Sequence, residues 1–492
     1  MQFSKLLRGE DVGQVTGRLD REAVALTCDS RTAERGSVFF CFRGARHDGH
    51  DFAQEAYRRG CRIFVAERPL VLPADTTVLL TPNAERRMAL FASDFYGAPA
   101  KDMTVIGITG TKGKTTTAQM LCRFLTAVGR QCACIGSSGA FIGEKRYETE
   151  NTTPQSLTLF HYIAKARDAG IRTLVLEVSS QALSRGRLHG LPIDVGVFTN
   201  LSRDHIGVGE HSDMQDYAAA KLSLFTNHGV QTAILNASDP FSSVIAREAR
   251  PQTVIHFGNG AGSCFRYRDL CPLRVAGGLG SHALLLCDGV EHEVTIPLAG
   301  AHYVEDLLGA LATAQHLTGA DIGRLLEHAR GLTVAGRCET VTMANGAVFV
   351  IDYAHNGASL RAALTGLRPH ATGRLMCLFG AVGERTQCRR RDMALAACRL
   401  ADLLVITEDN SGGEDPAGII GEIYRALPDR RCAICIPDRR EAIRYLAGIA
   451  MAGDVVLLAG KGDEEYQLSR DARLPFSEKD ILTECANIQG KK

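Results

Sequence analysis

The run Gly107-Ile108-Thr109-Gly110-Thr111-Lys112-Gly113-Lys114-Thr115-Thr116 carries the residue types needed to hold a phosphate chain. Glycines let backbone N–H groups face an anion, and the start of a following helix adds positive potential. Lys114 reaches toward β and γ phosphates, and the Thr115 hydroxyl is suited to Mg²⁺. The general motif wants glycine where Ile108 stands, so a tight turn without nucleotide is the plain alternative. Downstream, Glu177 ends an apolar run, where a carboxylate can meet a metal held by Thr115. A buried cap or salt bridge is its bland reading. His205 follows the next apolar run and Lys221 lies on a helical stretch beyond it. Alone, His205 reads as structural and Lys221 as a solvated charge; their order after a phosphate loop and a strand-terminal glutamate points instead to a site.

The elements that position these groups alternate between two periods. Apolar strands at 103–108, 174–177, 195–199 and 232–235 are separated by helical patterns at 116–128, 156–169 and 213–225, the signature of a parallel sheet with crossover helices. A β-rich stretch at 253–297 decorates that unit. Alternation resumes after Gly331 with strands at 348–352, 375–380, 403–407 and 455–459. The chain therefore reads as α/β with three domains: a small N-terminal α/β domain over 1–100, a central P-loop domain with a mostly parallel sheet over 101–333, and a C-terminal doubly wound, Rossmann-like domain over 334–492. Its 492 residues agree with three domains at about 150 residues each. With 56 Lys+Arg against 55 Asp+Glu, net charge is +1, which speaks against a nucleic-acid surface or a polybasic membrane patch. No targeting segment or apolar run of spanning length is evident, so the expected location is cytoplasmic. Sixteen scattered cysteines read as thiols in a reducing compartment, and Cys432-Ala433-Ile434-Cys435 as strand packing rather than a metal site.

The chain resembles the Mur ligase family, and within it the tripeptide-synthetase branch. The resemblance rests on nine ordered pieces: Asp29-Ser30-Arg31 with the 44–52 stretch, GTKGKTT at 110–116, Asn151-Thr152-Thr153-Pro154, EVSSQA at 177–182, TNLSRDHIG at 199–207, Gly336-Arg337-Cys338-Glu339, DYAHN at 352–356, Asp409-Asn410, and AGKGDEEYQ at 459–467. It implies an ATP-dependent ligase in peptidoglycan synthesis, acting on UDP-N-acetylmuramoyl-L-alanyl-D-glutamate and a free amino acid through an acyl phosphate. It further implies that Gly110, Thr111, Lys112, Gly113, Lys114, Thr115, Thr116, Arg337 and Asp352 bind ATP. Lys114, His205 and Lys221 would be catalytic; Thr115, Glu177 and His205 would hold magnesium, and a carbamylated Lys221 would hold a second ion. Ser30 and the 44–49 loop match the uridine end of the substrate site, while Thr152, Thr153, Ser179, Arg185 and Arg187 match its muramoyl-peptide end. Arg185 stands where relatives often carry glutamine, so an extra guanidinium for an anion and a surface charge are both open. The expected state is a monomer that neither inserts in membranes nor binds nucleic acid.

Two departures bear on specificity. The adenine-side pattern of the family has a phenylalanine and two asparagines, whereas this chain reads Gly300-Ala301-His302-Tyr303-Val304-Glu305-Asp306. Diaminopimelate-adding relatives read Asp-Asn-Pro-Arg where this chain has Asp409-Asn410-Ser411-Gly412, and glycine supplies no clamp for a distal carboxylate. Amino-acid binding is expected at Arg385, Asp409, Asn410, Gly460 and Glu464. Asp409 and Glu464 suit a side-chain ammonium, which favours L-lysine or another diamino acid; meso-diaminopimelate is the alternative. The run Arg389-Arg390-Arg391 could restore a distal-carboxylate site, although such runs are more often solvated helix starts. Rival readings are a Mur-like ligase of another pathway, of folylpolyglutamate or specialised-peptide type, and a silent nucleotide-binding partner.

Overall fold

Three sheets organise the chain in a computed structural model that describes residues 1–7, 13–44, 47–207, 209–275, 278–384, 387–469 and 472–489. The N-terminal sheet runs Gln14–Thr16, Thr77–Leu80, Ile63–Ala66, Ser37–Cys41, Ala25–Thr27 in spatial order, with the helix Ala84–Phe95 packed on it. Ser37–Cys41 and Ile63–Ala66 are buried along their whole length, as near-continuous apolar runs in parallel pairing should be.

The central sheet is built around Thr104–Thr109, which pairs in parallel with Thr173–Glu177 on one side and Val195–Phe198 on the other. Thr232–Asn236 and Thr253–Phe257 extend it in parallel. The β-rich stretch after Thr253 is therefore more than decoration: Phe265–Val275, Gly278–Cys287 and Val290–Ile296 continue the same sheet, the last two antiparallel. Alternating burial along Gly278–Cys287 explains this, since one face packs into the core while the other is wet. Gly107 is required inside the sheet because a Cβ there would lie 3.0 Å from Ile193 Cδ1 and 3.3 Å from Leu224 Cδ1.

The C-terminal sheet has the order Glu339–Thr342, Val348–Asp352, Val455–Ala459, Leu375–Phe379, Leu403–Ile406, Ala433–Cys435, parallel except for its first pair. Ala433–Cys435 is an edge strand: Cys432 is half-buried and packs against the core as expected, whereas Cys435 is exposed. One apolar cluster joins Ile108 and Phe124 of the central domain, Leu307 and Leu311 of the helix Ala301–Thr318, and Leu360 and Leu364 of the C-terminal domain. The two ligand-bearing sheets thus share a core. Among the described residues no helix is long and apolar enough to cross a membrane.

A second lock lies within the C-terminal domain. Arg439 is fully buried and donates from Nε to Glu478 Oε1 at 2.9 Å and from Nη2 to the Ala459 carbonyl at 2.9 Å. It thereby joins a strand end to the starts of the helices Arg439–Ile449 and Glu478–Gln489. Glu478→Gln leaves that guanidinium uncompensated and is expected to cost about 3 kcal/mol. Urea unfolding measures it, and a loss under about 1 kcal/mol would show that the pair contributes nothing beyond a neutral hydrogen bond.

Candidate active site

Strand ends of the central sheet converge on the phosphate loop. The helix Lys114–Ala127 starts after Gly113, whose φ of +86° a residue with a Cβ adopts at a cost, and a Cβ there would lie 2.2 Å from Asp306 Oδ1. The loop is clamped from the side by the segment after Val195–Phe198: the Lys112 N–H donates to Asn200 Oδ1 at 3.0 Å, and the Thr199 hydroxyl and Asn200 amide donate to the Lys112 carbonyl. Thr111 Oγ1 accepts from the Ser202 N–H and meets the Tyr217 hydroxyl at 3.1 Å. Thr116 is buried beside Asp306, whose carboxyl burial holds well above the usual range.

Cations crowd the loop. Lys114 Nζ and Lys221 Nζ both donate to the Gly110 carbonyl, each at 2.8 Å. Lys221 is buried, lies over the Tyr217 ring at 4.4 Å, and is pushed well below the usual lysine range by burial and by the Lys114 and Lys112 charges. Lys112 Nζ bridges to Asp204 Oδ2 at 3.2 Å and to His355 Nε2 at 3.1 Å. His355 donates from Nδ1 to the Tyr353 carbonyl, which leaves Nε2 as the acceptor. Desolvation lowers Lys112 to about 8, partly offset by Asp204.

Asp204 is where central and C-terminal domains meet. Its side chain is 2% exposed, and it accepts from Asn356 Nδ2 at 2.6 Å and Arg389 Nη2 at 2.5 Å in addition to Lys112. Burial alone would raise its pKa; Lys112, His205, Arg389 and His355 hold it far below the carboxylate range instead. A cavity of about 240 Å³ opens beside this contact, lined in part by Asp204, His205, Asn356 and Arg389. Of the arginine run at the start of the helix Gln387–Leu400, Arg391 alone is solvated as expected: Arg389 joins the domains, and Arg390, 4% exposed, pairs with Glu414 and Glu422.

Glu177 closes its strand next to the loop. Oε2 accepts from the Thr115 hydroxyl at 2.8 Å and Oε1 from the Ser137 N–H at 3.0 Å. Burial raises its pKa, and its hydrogen-bond partners are hydroxyls and an N–H. A hydroxyl and a buried carboxylate are hard oxygen donors of the kind Mg²⁺ takes. Among the described residues no group of three or more His, Cys, Asp or Glu side chains is arranged to hold a metal. Magnesium on nucleotide phosphates needs only one or two protein carboxylates, so the Thr115 and Glu177 pair fits it. His205 points Nδ1 at Glu210 Oε1, 3.1 Å away, as a metal-binding imidazole commonly does with a carboxylate, while its Nε2 faces Asp204 Oδ2 at 3.9 Å. Its φ of +54° lies in the left-handed region and costs about 1–2 kcal/mol.

The residues that the resemblance assigns to the muramoyl-peptide end form one network. Thr152 accepts from the Ser137 hydroxyl, and Thr153 Oγ1 donates to the Glu177 carbonyl and accepts from the Ser179 N–H. Ser179 caps the helix Ser180–Ser184. Arg187 Nη1 donates to the Thr153 carbonyl at 3.0 Å, and Arg185 and Arg187 both face Glu85 of the N-terminal domain. Arg185 is thus partly buried at a domain boundary rather than a free surface charge. Ser30 lies in a turn capped by Asp29 on that same domain. At the other end, Asp409, Asn410, Gly460 and Glu464 cluster: Asn410 donates to Glu464 at 2.7 Å, and a Cβ on Gly460 would lie 2.6 Å from Asp409 Oδ2. Both carboxylates offered to a substrate ammonium already face Lys461 Nζ, at 3.8 and 3.6 Å. Arg385 lies outside the described residues. Arg337 stacks on Tyr353 at 4.5 Å, and Asp352 Oδ2 accepts from the Tyr303 hydroxyl at 2.5 Å and the Cys338 N–H at 2.9 Å. Glu85 escapes a reading of the sequence, and so do the contacts of Tyr303, Asp306 and Asp204, because each gains its meaning from a partner far along the chain.

Fold and site together define a P-loop phosphoryl-transfer enzyme whose third domain contacts the nucleotide loop. Residues 23–96 match the Mur ligase family catalytic domain, 108–314 the Mur ligase middle domain, and 336–462 the Mur ligase glutamate ligase domain. The chain is 37% identical over 472 residues to the UDP-N-acetylmuramoyl-L-alanyl-D-glutamate–2,6-diaminopimelate ligase of Geobacillus thermodenitrificans, covering 94% of each protein. It is 30% identical over 499 residues to that of Clostridium perfringens, covering all of both. A solved structure of a ligase of the same name superposes with a TM-score of 0.67 at 28% identity, covering 100% of this chain and 99% of that one. The chain belongs to the Mur ligase family. It is accordingly an ATP-dependent ligase that forms an amide bond, in a family that uses Mg²⁺.

Two predictions test this geometry. Above about pH 8 Lys112 loses its proton and ATP loses a cation, so kcat/KM for ATP is expected to fall there, and Lys112→Arg to move that limb upward. A flat profile between about pH 7 and about pH 9.5 would remove Lys112 from the phosphate contacts. Asp204→Asn should loosen the domain contact and lower kcat by about tenfold or more while ATP still binds; scattering profiles as compact as the parent's would show the carboxylate is dispensable for closure.

Proposed function

We propose that the protein adds the third amino acid to UDP-N-acetylmuramoyl-L-alanyl-D-glutamate in the cytoplasm, with meso-diaminopimelate as the amino acid. The observation that carries this reading is the continuous network from Thr115 through Glu177 and Thr153 to Ser179 and Arg187, which puts the phosphoryl donor's loop beside the residues assigned to the acceptor's carboxylate. A carboxylate oxygen attacks the γ-phosphorus and ADP leaves. The amine nitrogen then attacks the acyl carbon, loses a proton, and phosphate departs with the electrons of the broken C–O bond. Such a transfer is helped by fixed positive groups around spreading charge, which Lys112, Lys114 and Arg337 supply. Thr115, Glu177 and His205 would hold Mg²⁺, which when bound neutralises phosphate charge. Burial and the neighbouring lysine charges lower the Lys221 pKa, which favours the amine form that addition of carbon dioxide requires, and a carbamate there would turn a repelling ammonium into an anionic ligand.

Meso-diaminopimelate is supported by the names of the full-length relatives and by Lys461, which already neutralises Asp409 and Glu464. L-Lysine is the second reading, favoured by Gly412, beside which the Glu384 carboxylate rather than a guanidinium stands, 3.4 Å from where a Cβ would be. Phosphate release with Mg-ATP and the muramoyl dipeptide, comparing meso-diaminopimelate, L-lysine and L-ornithine with product mass, decides between them. Turnover selective for meso-diaminopimelate is expected; selection of lysine would establish the second reading, and no turnover with any would move the chain to another Mur-type pathway. Lys221→Ala should abolish ligation, and parental turnover in that variant would refute the carbamate.

A further inference from the structure

A glutamate in the first turn of a helix ordinarily sits in water, yet Glu85, near the start of Ala84–Phe95, is only 8% exposed. It points across the boundary between N-terminal and central domains at two guanidinium groups. Arg187 Nε lies 3.8 Å from Glu85 Oε1, and Arg185 Nη1 lies 3.9 Å from Glu85 Oε2. Both distances are within Coulombic reach and beyond a hydrogen bond. Glu85 Oε1 and Arg187 Nε are buried and make no hydrogen bond at all; Gln155, which adjoins Glu85, likewise leaves Oε1 without a partner. Buried polar atoms are rarely left so, and unmet ones facing each other mark a place where another group is meant to bind. Arg187 does not depend on Glu85 for its position, because Nη1 is fixed on the Thr153 carbonyl and its own carbonyl accepts from Ser156 Oγ. What Glu85 supplies is charge. A buried guanidinium, Arg187, and a partly buried one, Arg185, repel one another, and a single carboxylate between them offsets that repulsion and the desolvation of Arg187 until an anion arrives.

We propose that Glu85 stands in, in the substrate-free protein, for an oxyanion of the nucleotide-linked substrate, and yields Arg185 and Arg187 to that oxyanion on binding. The proposal rests on the assignment of those arginines to the substrate in the preceding section. Glu85 is thus a residue that sets affinity by competing with the ligand, and its removal acts opposite to that of a binding residue.

Calorimetric titration of the full-length protein with UDP-N-acetylmuramoyl-L-alanyl-D-glutamate, UDP-N-acetylmuramoyl-L-alanine and UDP tests this. Glu85→Gln is expected to bind the dipeptide substrate about 3- to 10-fold more tightly, while the free variant melts lower and gains more from saturating substrate than the parent. Tightening is diagnostic, since structural damage weakens binding. Tightening confined to the dipeptide identifies the glutamate carboxylate as the oxyanion; tightening shared with the alanine compound identifies the diphosphate. Should Glu85→Gln not fold, Glu85→Asp, which withdraws the carboxylate by one methylene, is expected to tighten binding in the same direction. Parental binding that neither variant strengthens overturns the proposal alone, and no binding to the parent overturns the substrate assignment with it.

Discussion

The Asp204 carboxylate is the point on which the arrangement of the site depends. A charge this deeply buried is tolerated only when its lone pairs are filled, and the donors that fill them come from both sides of a domain boundary: Lys112 from the phosphate loop, Asn356 and Arg389 from the C-terminal domain. Without the C-terminal donors Asp204 is left to Lys112 and the more distant His205, and without Asp204 the Arg389 guanidinium loses this carboxylate. Because Lys112 also reaches His355, the loop that receives phosphate and the domain that must close over it share one ammonium group. Electrostatic effects of this kind are strong in a site shielded from water, where a charge is worth several times its value at the surface.

The lysines on Gly110 show the same economy from the other direction. Two ammonium groups on a single carbonyl repel each other, and burial falls harder on Lys221 than on Lys114, so of the two it is Lys221 whose pKa is pushed further down. The loop around them cannot be enlarged. A Cβ at Gly113 runs into Asp306, and one at Gly136 would lie 1.9 Å from Glu177 Oε1, so the backbone closeness that frees N–H groups for an anion also packs the acids behind it.

Much of this was legible from residue order. The phosphate loop, the strand that ends in Glu177 and the alternation of apolar strands with helices each depend on neighbours within a few residues, which is the range over which pattern speaks. Lys112 could be read as part of the loop, but its pairing with Asp204, 92 positions on, and His355, further still, could not. For the same reason Asp409 and Glu464 looked available to a substrate ammonium: Lys461 stands three positions before Glu464, and only the fold turns it onto both acids. Edge position decided Cys435, and sheet continuation decided the stretch after Thr253; neither is a local property.

The helix Ala301–Thr318 explains why departures from the family's adenine-side pattern need not loosen the site. Its first turns carry Tyr303, Glu305 and Asp306, and each side chain reaches a different element. Asp306 lies against Gly113 and the Thr116 and Thr117 hydroxyls; Glu305 accepts from Asn236 at a strand end of the central sheet; Tyr303 donates to Asp352 at a strand end of the C-terminal one. His302 packs on Tyr303 with ring centroids 4.1 Å apart. A rigid helix that touches the phosphate loop and both sheets in one turn fixes their separation, because moving any of them would strand a buried acid. The buried tyrosine thus does by hydrogen bonding and bulk what the shared core does by packing: it holds the C-terminal strand end that bears Asp352 at a set distance from the loop that bears Lys114.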